Sequence, residues 1–167
     1  MRQLFNTETY IQSVRDALQK QSDSLMKEIS KTLQFHFAEK VNLVDFTAFT
    51  QPFELSIMMF SMDRRANEVF YEGTESRIFA GSYEVLEDTA YYAEPEGQSE
   101  EFEAFYEQND DVLSRLETEA ISEWFAACWN QAGGGSSKLP AYFSFHDYDR
   151  CFDLHKNKWI SDRDKWL

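Results

Sequence analysis

An α+β fold, with a mainly antiparallel sheet packed against two long helices, is predicted by three observations. Residues 7–40 and 111–132 carry apolar side chains at helical spacing. Short runs rich in Phe, Tyr, Ile and Met lie between and after them, joined by links too short for a parallel crossover. Helices and strands also do not alternate one for one, as a doubly wound parallel sheet requires. The 167 residues suit one domain, 1–167.

The first helix is read over residues 7–40. Ile11, Val14, Leu18, Leu25, Ile29 and Leu33 form one stripe, with Thr7 as its N-cap and no Pro or Gly inside. From Phe53 to Met62 both alternate faces are apolar, which predicts a strand covered on two sides. Asp63 to Asn67 turns, and Glu68 to Tyr71 reads as the return strand of a hairpin, stopped by Gly73. Residues 77–92 fit a short helix or another strand equally. Pro95 and Gly97 mark a turn, and Ser99 starts a short acidic helix. The second long helix has Leu113, Leu116, Ala120, Trp124 and Ala127 as its core stripe. Gly133 to Ser137 ends it and reads as a flexible linker. Residues 141–145 and 150–154 form a second hairpin, and Trp159, Ile160 and Trp166 dock the polar tail onto the body. No solenoid repeat is present.

Composition narrows the function classes. With 43% apolar residues and 27 aromatic ones (15 Phe, 8 Tyr, 4 Trp), the chain is built to fold. Its net charge of −14 argues against a nucleic-acid partner, which needs clustered Lys and Arg. The start, Met1 to Tyr10, has no apolar core and no cleavage site, so no secretory signal is read there. The longest apolar run, from Leu55 to Met62, is too short for a membrane span. Two cysteines, Cys128 and Cys151, make no disulfide framework. A reducing cytoplasm is the expected home.

Charge is the sharpest signal. From Glu84 to Glu123 there are fourteen Asp or Glu and one base, Arg115, so this window carries −13 of the chain's −14. A merely solvated surface would spread its charge, because crowding it costs self-repulsion. Phe102, Phe105 and Tyr106 lie inside the block, as interface anchors do among charges. The expected contact residues are Glu94, Glu96, Glu100, Glu101, Glu103, Phe105, Glu107, Asp110 and Asp111. Such a surface attracts a basic protein partner and weakens with salt.

Other constellations are weaker. His146, Asp147, Asp149, Asp153 and His155 have the right chemistry for Zn²⁺ or Mn²⁺. Their spacing matches no metal motif, so polar turns are the commoner explanation and no metal or cofactor is expected. Either cysteine with a histidine could form a nucleophile and base, but Cys128, between Ala127 and Trp129, has a core setting. The glycine run lacks the Gly-Lys-Ser/Thr ending of a phosphate loop. The pairs Glu100/Glu101 and Asp110/Asp111 suggest glycosidase acids only if they lie in a cleft.

A pattern joins these parts: a leading amphipathic helix, Ile57-Met58-Met59-Phe60-Ser61-Met62-Asp63, a late helix around Glu123-Trp124-Phe125, and Tyr142-Phe143-Ser144-Phe145-His146-Asp147. It resembles the small acidic immunity proteins that bacteria make beside polymorphic and contact-dependent toxins. The resemblance implies a non-enzymatic inhibitor that covers or plugs a basic toxin domain, often a nuclease, acting as a monomer or small homo-oligomer. The rival readings are a metal-assisted hydrolase using His146, Asp153 and His155, and a homo-oligomeric structural module.

Overall fold

The first helix starts one residue earlier in its capping than expected. In the computed structural model, which describes residues 5–167, Asn6 and not Thr7 is the N-cap, and its side chain accepts the Thr9 N–H at 2.8 Å. The N-terminal reading of Met1 to Leu4 lies outside the described residues. Where one helix was expected over 7–40 there are two, α1 (Thr7–Gln19) and α2 (Ser22–Leu33). The reason is visible in the stripe: between Leu18 and Leu25 every residue is polar, so nothing holds a continuous helix against the body. The chain bends at Lys20 and Gln21 instead. Tyr10, Val14 and Leu18 of α1 and Leu25 and Ile29 of α2 all reach the core.

After β1 (His36–Phe37) comes β2 (Leu43–Gln51), which pairs antiparallel with β3 (Glu54–Met62) through the two-residue turn Pro52-Phe53. Phe53 sits at φ 66, and its N–H donates to the Tyr91 hydroxyl at 3.3 Å. β3 buries Leu55, Ile57, Met59 and Ser61, and half-buries the alternate residues, so its second face is only partly covered. Its expected return strand over 68–71 does not form. A single bridge, Met62 to Glu68, is all the pairing there, because only Val69 turns inward while Phe70 is 68% exposed.

The true neighbour of β3 is β5 (Ser82–Ala90), so the undecided stretch 77–92 is β4 (Ile78–Phe79) followed by a strand. Two register shifts interrupt the β3–β5 ladder, and consecutive Val85 and Leu86 are both buried. That irregularity erases the period-two pattern from the sequence. β1 and β4 pair in parallel, under a cluster in which Phe35 and Phe79 stack at 4.2 Å.

α3 (Ser99–Gln108) and α4 (Asp110–Gln131) follow, then β6 (Ala141–Phe145), β7 (Arg150–Asp153) and β8 (Lys158–Ser161). The main sheet runs β5-β3-β2-β6-β7-β8, antiparallel except for the central parallel pair β2–β6. The fold is thus α+β, with a mixed sheet packed against helices. α4 provides the spine of that packing: Phe125 stacks on Phe143 at 4.4 Å and tilts against Phe46 at 5.1 Å. Its inward face is rotated from the expected stripe, since Ala127 is exposed and Leu116 only half-buried.

The glycine run is a packed corner and no linker. Gly133 ends α4 in the left-handed region, at φ 95. Gly134 is buried, and a Cβ there would lie 2.2 Å from the Trp129 ring. The opposite face of the sheet buries Leu43, Tyr142 and Cys151. There the tail docks as expected, with Ile160 and Trp166 against this second cluster.

Candidate functional site

The acidic block folds as most of β5, a turn, α3 and the first half of α4. Gly97 takes φ 74 in the turn, and α3 begins at Ser99 with Glu100 and Glu101 in its first turn, where the helix dipole favours anions. Glu100, Glu103 and Glu107 recur at spacings of three and four, so they share one face of α3. Phe102 and Phe105 point the other way, into the body. Asp110 and Asp111 open α4, and Asp110 accepts a long hydrogen bond from Ser114 at 3.4 Å.

Glu94, Glu96, Glu100, Glu101, Glu103, Glu107, Asp110 and Asp111 are all exposed. Among the described residues, none of them takes part in an ion pair. Phe105 is the exception within the expected set. It is only 8% exposed, stacked on Phe5 at 5.8 Å and beside Tyr10 and Phe102, so it fastens α3 to the core and offers no contact surface. Phe102 is likewise buried. Phe102 and Phe105 hold the scaffold, Tyr106 is half-buried, and the eight carboxylates face solvent.

One acid of the window goes the other way. Glu117 is 7% exposed, on the inward face of α4 between Leu113 and Ile121. Its carboxylate accepts the Tyr10 hydroxyl at 2.6 Å on one oxygen and the Tyr106 hydroxyl at 2.8 Å on the other. Burial first, and then this carboxylate, push the phenols of Tyr10, Tyr91 and Tyr106 well above their ordinary range. Among the described residues no cation pairs with Glu117. It lies in the wall of a cleft of about 330 Å³, whose other walls include Phe53, Tyr91, Tyr106 and Phe145. Sequence reasoning counted Glu117 with the surface acids. The available signal was its place four residues from Leu113 and from Ile121, within an apolar stripe.

The histidine tract does not converge. Tyr142 pairs with Asp153 in the β6–β7 hairpin, which puts Asp153 and His155 at one end and His146 at the other. His155 hydrogen-bonds the Leu139 carbonyl at 2.9 Å, and Asp153 accepts backbone N–H groups from His155 and Lys156. His146 instead lies beside Asp147, at 3.3 Å. Among the described residues no three His, Cys, Asp or Glu gather as metal ligands. Both cysteines are free and buried. Burial pushes the Cys128 thiol up and the Cys151 thiol up to about 12, so neither is a ready thiolate.

Comparison with family models, with curated proteins and with solved structures gives no match to this chain. Among the described residues, no helix is long and apolar enough to cross a membrane.

Proposed function

We propose that the protein is a non-enzymatic binding module whose acidic α3–α4 surface neutralises a basic protein partner, most plausibly the toxin domain of a bacterial toxin–immunity pair, acting in the cytoplasm. The observation that carries this reading is the set of eight exposed carboxylates without a cation partner among the described residues, borne on the turn before α3, on α3 and on the first turn of α4, where buried aromatics hold α3 in place. Like charges kept side by side repel, and a partner bearing Lys and Arg relieves that repulsion on docking. A fixed scaffold also lowers the ordering cost of binding. The immunity role itself rests on the pattern resemblance and on this charge.

Where a neighbouring gene encodes a secreted protein, the test uses the C-terminal domain of that protein. Calorimetry at low and high salt compares the natural chain with the triple variant E100K/E101K/E103K. We expect binding that weakens with salt and falls about tenfold or more in the variant, with the domain still folded. Equal affinity of the two chains would overturn the reading.

A further inference from the structure

The buried carboxyl group of Glu117 has hydroxyl partners but no cation partner among the described residues. An ionised carboxylate removed from water is costly unless it is paired or richly hydrogen-bonded. Tyr10 and Tyr106 hydroxyls bond one oxygen each, and the Tyr91 phenol lies beside the same carboxylate. No lysine, arginine or histidine among the described residues approaches it. The cleft beside it is walled by aromatic rings, with Phe53 and Tyr106 centroids 5.6 Å apart and perpendicular. Aromatic rings and a carboxylate at one cleft are the chemistry of a cation site: a ring attracts a cation through its quadrupole, and the carboxylate supplies the charge.

Position fits the same ligand. Tyr106 belongs to α3, three residues after Glu103 and next to Glu107, so it borders the acidic face of that helix. Ser114, which also lines the cleft, bonds Asp110 at the start of α4. A basic surface drawn to the exposed carboxylates would meet this cleft at their edge.

We propose that the Glu117 cleft receives one Lys or Arg side chain of the basic protein partner, as the buried anchor of an interface whose rim is the acidic surface. The source of the side chain rests on the function proposed above; the cation chemistry rests on the cleft alone. Rim charges then steer the encounter, and the anchor in the cleft slows dissociation.

The probe is a blocked peptide, acetyl-Gly-Gly-Lys-Gly-Gly-amide, followed by amide chemical shifts of the full chain at high salt. Its controls are the same peptide with the lysine acetylated, and n-butylammonium. We expect saturable shifts centred on Tyr106, Glu117 and Thr118, lost on lysine acetylation. Glu117→Gln should weaken binding by about tenfold or more. Because acetylation changes only the probe, the comparison holds even if that variant folds poorly. Equal shifts from acetylated and unmodified peptide, or shifts confined to α3, would overturn the cation site. Binding of n-butylammonium without the peptide would overturn the protein source. The triple reversal on α3 should leave the high-salt peptide shifts in place. Loss of the cleft and loss of the acidic surface are therefore read separately.

Discussion

Of the three carboxylates buried among the described residues, Asp45, Glu117 and Asp153, the first two lie on opposite faces of the main sheet and are treated differently. Asp45, on β2, is 6% exposed and lies where the tail folds back. It accepts from Ser144 at 2.8 Å and from the Lys165 ammonium at 2.5 Å, while Lys165 also donates to Asp162 at 2.6 Å. Every charge there has an opposite charge in contact. Glu117, on the helical side, has only phenols. The first site is closed by the chain itself and serves to fasten its C-terminal turn. The second is open to a cleft and lacks the cation that would complete it. Burial alone therefore does not mark a site: Asp153, equally buried, is capped by the backbone N–H groups of His155 and Lys156, whereas Glu117 opens onto a cleft.

The largest effect should come from breaking the completed site. Burial pulls the Lys165 ammonium down, but the Asp45 charge and the hydrogen bonds to Asp162 and Asp45 outweigh it, so its pKa is raised. Lys165→Met leaves Asp45 buried without a cation, and should cost about 3–5 kcal/mol in urea unfolding. The double variant Lys165→Met with Asp45→Asn should recover part of that loss. A loss below about 1 kcal/mol would mean that the pair holds nothing, and the contrast between the two sites would fail.

A smaller effect should appear at alkaline pH on the Glu117 side. The phenols of Tyr10, Tyr91 and Tyr106 are raised from the ordinary 10.0 by burial and by Glu117, so the folded state keeps protons that the unfolded chain releases. Stability is then full below pH 10 and falls as pH rises past it, by about 1.4 kcal/mol per pH unit for each phenol. Phenolate absorbance should show these three ionising only together with unfolding. Their titration in the folded chain would show that the carboxylate is wet and does not need a cation.

The sequence makes some of this legible and hides the rest. The second long helix was expected within one residue of its observed start and end, because its apolar stripe is long and Asp and Gly mark its termini. The acidic surface was legible because charge needs only counting. β2 was missed. Its run Leu43-Val44-Asp45-Phe46 is buried on both faces and so has no alternation, and one of its two partner strands, β6, arrives about a hundred residues later. Phe105 misled because an aromatic at helical spacing looks the same whether its face turns outward or inward; only the packing of α3 on Phe5 and Tyr10 decides. Lys165 and Asp45 lie 120 residues apart, and no local pattern joins them.

The mildest change asks whether the phenols are substitutes for the missing cation. Tyr106→Phe removes one hydroxyl from Glu117 and keeps the ring that walls the cleft. Tyr106 is half-buried and water can reach that edge, so the loss in urea unfolding should be about 1–2 kcal/mol. Tyr10→Phe should cost more, because its hydroxyl lies in the core at 2.6 Å from the other oxygen, away from the cleft lining. The two variants should then diverge toward the lysine peptide. Freeing the cleft-side oxygen leaves a stronger acceptor for an ammonium, so Tyr106→Phe should bind the peptide at least as tightly as the natural chain while being less stable. If both variants lose peptide binding in step with stability, the phenols hold the carboxylate in place for structure alone. Glu117 would then be a closed site like Asp45, completed by hydroxyls where Asp45 is completed by a lysine.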